Sequence, residues 1–320
     1  MTFLLNIGDT MIKNILAIVA TMFIATSAFA ADITGAGATF PYPIYSKWAD
    51  SYKKVSGNQL NYQSIGSGGG IKQINAKTVT FGATDVPVKS EDLEKLGQVQ
   101  FPMIVGGIVP VVNLKEVTAG QLVLTVDILA KIYMGTITNW NDKQIAEINP
   151  GVKLPNLAII KIRRADGSGT TYNFTKFLAE ANADWKKNYG VGQAIEWQGT
   201  TIGSKGNEGV ANGVSLTNGS IGYVEYAFAK QNGLSWAKMI GTDGKIAAPG
   251  IKSFQTNWPM VATSYIVMYK DPSDPAASKE AIKFFEYSYA HGDKQAEELD
   301  YVPLTSAQKA EVKKIWASIN

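Results

Sequence analysis

Arg163-Arg164-Ala165-Asp166-Gly167-Ser168-Gly169-Thr170-Thr171 follows the apolar run Ala158-Ile159-Ile160-Lys161-Ile162 and precedes a stretch carrying Phe174, Phe177 and Leu178 at helical spacing. The order is strand, glycine turn, helix. A guanidinium, hydroxyls and a helix start fall within a few positions. A helix start carries unpaired N–H groups and the positive end of the dipole, so the segment suits an oxyanion. Arginine adds a planar fork of donors matched to a tetrahedral dianion.

Working outward, the same alternation recurs. Leu60-Asn61-Tyr62, Ile104 to Val112, Ile221-Gly222-Tyr223-Val224 and Tyr265 to Tyr269 read as strands. Ile44, Trp48 and Tyr52 share a helical face, a second helix runs from about Thr170 to Ala181, and the last includes Val312, Ile315 and Ile319. Strands alternating with helices predict an α/β fold with mixed or parallel sheets. Pro102, Pro110 and Pro155 read as strand edges, Asn139-Trp140-Asn141-Asp142 and Asn149-Pro150-Gly151 as surface turns, and Thr242-Asp243-Gly244-Lys245 as a hairpin turn. His291, ahead of Gly292, reads as a helix C-terminus.

Three further segments repeat the glycine-and-hydroxyl composition: Thr34-Gly35-Ala36-Gly37-Ala38-Thr39-Phe40-Pro41, Ile65-Gly66-Ser67-Gly68-Gly69-Gly70 before a helix near Ile71 to Asn75, and Phe81-Gly82-Ala83-Thr84-Asp85. Taken singly, each also fits an ordinary turn or N-cap, with Asp85 or Asp166 as the cap. Together they form a set of potential anion donors with one carboxylate, Asp85, among them. No G-x-x-x-x-G-K-[ST] loop occurs, and neither Ser67 nor Ser168 lies in G-x-S-x-G.

Composition narrows the chemistry further. There is no cysteine and a single histidine, which excludes thiol nucleophiles, disulfides and Cys- or multi-His-based metal sites. Metal and cofactor are therefore expected to be absent. The net charge of +3 and the lack of a basic-aromatic run argue against a nucleic-acid surface. Residues 1–30 carry only Asp9 and Lys13 as charges, an apolar run from Ile15 to Ile24, and Ala28-Phe29-Ala30. They read as a secretion leader cut after Ala30, with Met1 or Met11 as the start. The absence of cysteine also excludes a lipidated N-terminus, so the mature chain is expected to diffuse in a periplasm.

These segments, with Gly222-Tyr223-Val224-Glu225-Tyr226 and Leu299-Asp300-Tyr301, resemble the periplasmic phosphate-binding proteins of ABC-type phosphate importers over nearly the whole mature chain. The resemblance implies a two-lobe periplasmic binding protein fold, type II-like, with two hinge crossings near Asn113 and Trp258. Residues 31–113 plus 259–320 would form one lobe and residues 114–258 the other, with the ligand cleft between them. It implies that Thr39, Phe40 and Ser67 give donors, Asp85 accepts from the ligand, Arg164 supplies charge, and Ser168, Gly169 and Thr170 close the second helix start. Asp166 and Ala38 would support these contacts from behind. Partners would be inorganic phosphate and the membrane permease subunits of the importer, with the protein acting as a monomer. The chain departs from the family in having Ser67-Gly68-Gly69 where Ser-Ser-Gly-Gly is frequent, and in a shorter stretch from Gly241 to Trp258.

One acceptor among many donors admits only an oxyanion that carries a hydrogen, so sulfate would be refused and arsenate would not. Two other readings use the same residues: a binder of another tetrahedral oxyanion, and a secreted phosphatase with Ser67, Ser168 or Thr39 as nucleophile. The second lacks a base.

Overall fold

The computed structural model describes residues 33–320, so the leader and its cut after Ala30 lie outside the described residues. The main sheet begins with three short strands, β1 (Ile33–Gly37), β2 (Leu60–Ser64) and β3 (Phe81–Thr84), in which β1 pairs in parallel with both others. The long β4 (Gln98–Val112) follows. Then come β5 (Val123–Leu124), β6 (Ile160–Arg164), β7 (Thr201–Ser204) and β8 (Ser220–Glu225). Short strands β9 (Ser235–Trp236), β10 (Lys238–Ile240) and β11 (Ile246–Ala247) precede β12 (Val261–Tyr269).

The strand order is β2-β1-β3-β12-β4-β8-β6-β7, with β9 also on β4 and a small separate sheet β11-β10-β5. β4 holds the two halves together. Its residues up to Gly107 pair with β12, and from Ile108 onward they pair with β8. At the change of partner, Ile108 N donates to Met260 O at 2.8 Å and Trp258 Nε1 donates to Ile108 O at 2.9 Å. The architecture is thus α/β in two lobes, each with its own run of parallel strands.

Helices cover the sheet with the faces their periodicity predicts. α1 (Tyr42–Ser56) buries Ile44, Trp48 and Tyr52, and Tyr52 meets Phe284 of α5 (Pro275–His291) edge-on at 5.6 Å. α2 (Ser67–Asn75) lies on β1 and β3. In the other half, α3 (Gly169–Ala181) stacks Phe174 on Tyr223 of β8 at 4.1 Å, and α4 (Gly206–Leu216) buries Val210 and Val214. Such a ring pair contributes about 0.5–1.5 kcal/mol beyond the area it buries. His291 ends α5 and Gly244 turns the β10–β11 hairpin, as expected.

Other expectations are corrected. Pro102 and Pro110 lie inside β4, not at strand edges. Pro102 sits at a register shift opposite Ser264 and Tyr265, where a missing N–H is tolerated. The Pro110 carbonyl accepts from Ala237 N at 2.9 Å, so the position of its missing N–H faces the two-residue β9 rather than β8. Neither asparagine cluster is mere surface punctuation. Trp140 is fully buried and donates to Gly219 O at 2.9 Å, while buried Asn149 holds both Val123 N (2.7 Å) and Val123 O (2.8 Å), acting as a strand partner for β5. The strand expected at 158–162 runs Ile160–Arg164, and the helix near Ile71 starts earlier, at Ser67. The last helix, α6 (Ser306–Trp316), stops before Ile319, with Trp316 rather than Ile319 completing its buried face.

Candidate functional site

Every segment singled out by composition leaves the sheet at the carboxyl end of a strand. Ala38-Thr39-Phe40 follows β1, Ser67 follows β2, Asp85 follows β3, Arg164 ends β6, and the turn to α3 comes directly after it. In open α/β sheets this is where ligands bind. α1, α2 and α4 start here without a cap from their own N-cap side chain. Several of their first N–H groups are taken inside the site, Gly68 N by Gly167 O at 2.9 Å, Gly206 N by Asp166 Oδ1 at 3.2 Å and Asn207 N by Thr39 Oγ1 at 3.0 Å, so a bound anion would draw on the remaining N–H groups of these first turns. α3 is capped by Ser168, whose hydroxyl accepts from Thr171 N at 3.0 Å. Neither Asp85 nor Asp166 is the N-cap of the helix that follows it: the helix after Asp85 begins at Ser90 behind Lys89, and Ser168 takes the position that Asp166 could have filled, while Asp166 Oδ1 instead accepts from Gly206 N at the start of α4 at 3.2 Å.

The sequence-predicted residues are brought into one buried cluster. Thr39, Phe40, Ser67, Asp85, Arg164, Ser168 and Thr170 are each at most 3% exposed. Ser67 Oγ accepts from Asp85 N at 3.1 Å and faces Asp85 Oδ2 at 3.5 Å. Arg164 Nε donates to Asp166 Oδ1 at 2.8 Å and Nη2 pairs with Asp166 Oδ2, while Nη1 reaches Thr170 Oγ1 at 3.5 Å. Ala38 is fixed behind Thr39 by its N–H to Ala83 O at 2.9 Å.

The halves meet directly across this cluster. Gly68 N donates to Gly167 O at 2.9 Å and Asn173 Nδ2 to Asp85 O at 2.7 Å. Gly169 requires its missing side chain, because a Cβ there would stand 2.3 Å from Ser67 Oγ and 2.7 Å from Asp85 Oδ2. Gly37, at φ +145°, is equally constrained, since a Cβ would meet Ala83 O at 2.0 Å.

Sequence reasoning missed Asn207 altogether, and quoted Tyr223, Glu225 and Tyr301 without giving them roles. Asn207, fully buried at the start of α4, donates to Thr39 Oγ1 through its backbone N (3.0 Å) and Nδ2 (2.7 Å), and its Nδ2 also reaches Thr170 Oγ1 at 3.1 Å. The Tyr223 hydroxyl bonds Thr171 Oγ1 at 2.7 Å. The Tyr301 hydroxyl lies 2.7 Å from both Phe40 O and Glu225 Oε2. The signal for Asn207 was the motif Lys205-Gly206-Asn207-Glu208-Gly209, another glycine turn into a helix after a strand.

Electrostatics single out Asp85. Burial pushes its carboxyl from 3.8 up to about 7, against opposing pulls from the Ser264 hydroxyl, the Arg164 guanidinium and Ser67. Ser264 Oγ lies beside it without forming a well-directed hydrogen bond, and Asp85 Oδ1 has no partner. Asp166 behaves oppositely: burial pushes it up, but the Arg164 guanidinium and Gly206 N–H together hold it below the usual carboxylate range. The Asp85 carboxyl therefore links stability to pH. Between the unfolded value and about 7 the folded protein keeps a proton that the unfolded chain has released, so ligand-free stability falls as pH rises through that window. The full difference is worth about 4 kcal/mol. Chemical denaturation of the ligand-free protein from pH 4 to 8 is expected to show this decline in wild type and a flatter profile in Asp85→Asn; parallel profiles would mean that the carboxyl titrates normally.

Comparison with known proteins gives the following. A profile of the PBP superfamily domain matches residues 24–291. The Phosphate-binding protein PstS of Pasteurella multocida is 46% identical, the match covering 94% of this chain and 94% of that protein. The protein of the same name in Haemophilus influenzae is also 46% identical, over 90% of this chain and 93% of its own length. Among solved structures, the phosphate binding protein from Stenotrophomonas maltophilia aligns with a TM-score of 0.67 at 21% identity, covering 89% of this chain and 94% of the other. An ABC-type phosphate transport receptor from Vibrio cholerae aligns with a TM-score of 0.58 at 21% identity, over 85% and 100%. At such identities the likeness is one of fold.

Proposed function

This chain belongs to the phosphate-binding protein PstS family within the PBP superfamily, and from that premise we propose that it captures inorganic phosphate between its two lobes and delivers it to an ABC-type importer in the membrane. The observation that carries the reading is the polarity of the buried cluster. Thr39, Ser67, Ser168 and Thr170 each accept hydrogen bonds at the hydroxyl oxygen from protein N–H groups. The hydroxyl protons of Thr39, Ser168 and Thr170 are thereby left to donate, while that of Ser67 is directed toward Asp85 Oδ2 at 3.5 Å. Added to Arg164 and the uncapped helix starts, they make a site that offers donors, with the unpartnered Asp85 Oδ1 as the exception.

A ligand suited to that arrangement is a compact oxyanion with one hydrogen of its own. Phosphate brings that hydrogen to Asp85. Sulfate at neutral pH would press an acceptor against an acceptor in a site closed to water, where an unpaired buried group costs about 1–3 kcal/mol and more when charged. We assign phosphate contact to Thr39, Phe40, Ser67, Asp85, Arg164, Ser168, Gly169 and Thr170, with Asp166 and Ala38 behind them. The change of partner in β4 at Gly107/Ile108, beside Met260, supports lobes that divide there.

The same polarity favours binding over catalysis, because the candidate nucleophiles Ser168 and Thr39 have N–H donors rather than a base at their oxygens, and Ser67, which also accepts from Asp85 N, meets a carboxylate oxygen only at 3.5 Å. The names of the relatives agree. Among the described residues no helix is long and apolar enough to cross a membrane. With the leader read from residues 1–30, we place the protein in the periplasm as a monomer that uses no cofactor and meets the permease subunits at the membrane.

Calorimetric titration with phosphate, arsenate and sulfate is the test. Phosphate is expected to bind with arsenate competing and sulfate failing by about 10⁴-fold. Equal competition by sulfate would overturn the selectivity argument, and absence of phosphate binding would overturn the function.

A further inference from the structure

Asn207 occupies the point where four parts of the cleft converge. Its backbone N and Nδ2 take both lone pairs of Thr39 Oγ1 at 3.0 and 2.7 Å, Nδ2 also takes Thr170 Oγ1 at 3.1 Å, and its Oδ1 accepts from Glu225 N at 2.8 Å. The amide orientation is forced, because the flipped amide would set an NH2 group against the Glu225 N–H. The residue is fully buried and belongs to the half of the sheet opposite Thr39. Nothing in the Thr39 side chain itself decides whether its hydroxyl gives or receives a hydrogen bond. Two N–H groups aimed at its oxygen do decide it.

We propose that Asn207 is a positioning residue for the phosphate site, fixing the hydroxyl of Thr170 as a donor within its own half and that of Thr39 only when the two lobes have closed. This rests on the phosphate-binding reading and adds to it a residue outside the set that contacts the anion. The Thr39 bonds cross between lobes, so closure and the setting of hydroxyl polarity become one event. In the open form the Thr39 hydroxyl is free to point either way. In the closed form it becomes an anion donor, which couples the gain in affinity to the movement.

The test uses the full mature chain and phosphate titration with Asn207→Ala, Asn207→Asp and the same changes in a Thr39→Val background. Asn207→Ala removes the side-chain part of the bias, leaving the backbone N–H on Thr39 Oγ1, and is expected to weaken phosphate about tenfold. Asn207→Asp keeps the shape and the acceptor for Glu225 N–H but turns an acceptor toward both hydroxyls, which then donate to it instead of to the anion. It is expected to weaken phosphate by about 10³-fold. In the Thr39→Val background the difference between the two variants should shrink, since there is less polarity left to invert. Thermal melting of the ligand-free variants separates this from a folding defect. Equal losses for Asn207→Ala and Asn207→Asp, or additivity with Thr39→Val, would overturn the assignment while leaving wild-type phosphate binding intact. A wild type that fails to bind phosphate would overturn the functional reading on which the assignment rests.

Discussion

Asp85→Asn is expected to bring sulfate within about tenfold of phosphate, collapsing a preference of about 10⁴. The amide is nearly the same shape as the carboxylate, so the surrounding packing is retained. Its Nδ2 can donate to a bare sulfate oxygen at any pH, where the ionised Asp85 carboxylate, with Oδ1 buried and unpartnered, repels it. Phosphate loses less, because the remaining amide oxygen can still accept its hydrogen. The measurement is displacement of phosphate by sulfate in both proteins at the same ionic strength. If sulfate stays excluded by more than about 10³-fold, the carboxylate does not carry the selectivity and the donor geometry around Arg164 must.

Arg164→Ala should produce the larger loss in affinity, about 10³-fold or more. Two effects add. The anion loses the guanidinium, and Asp166, whose side chain is 14% exposed and is now held by Arg164, becomes an unpaired carboxylate beside the anion. A second variant separates them: Arg164→Ala with Asp166→Asn should recover part of the loss, because it removes the repulsion while leaving the missing donors unrestored. Phosphate titration of the two variants decides the matter. A loss below about tenfold in Arg164→Ala would place the guanidinium outside the binding site.

Much of this site could be read from local sequence because backbone donors at glycine turns are a local property. Gly167-Ser168-Gly169-Thr170 and Gly66-Ser67-Gly68 announce a helix start whatever the rest of the chain does, and the strands before them follow from the apolar runs. The role of Asn207 was hidden for the opposite reason, although the turn Lys205 to Gly209 marks its helix start. Its meaning depends on Thr39, which lies 168 positions away and belongs to the other half. The roles of Glu225 and Tyr301 were hidden similarly, since the Tyr301 hydroxyl joins Phe40 O to a carboxylate on β8. In the fold, Pro110 misled because a proline inside a strand is tolerated only when the missing N–H faces a vacant or short edge, and that depends on β9. Trp140 misled because its asparagine neighbours suit a turn while its indole is wanted by Gly219 O.

The join in β4 has a mechanical consequence. Two chain segments lie side by side there, tied by Ile108 N to Met260 O and by Trp258 Nε1 to Ile108 O. A pair of adjacent chains linked by hydrogen bonds bends across its plane more readily than it slides along its length, so lobes joined there would open and close like covers on a spine. A motion confined to one such coordinate needs little searching: once phosphate touches one cover, the other has a single path along which to meet it. The grip of the protein can then be weakened or strengthened at contacts such as Lys230 with Asp300 at 2.6 Å, without altering an atom that touches the anion.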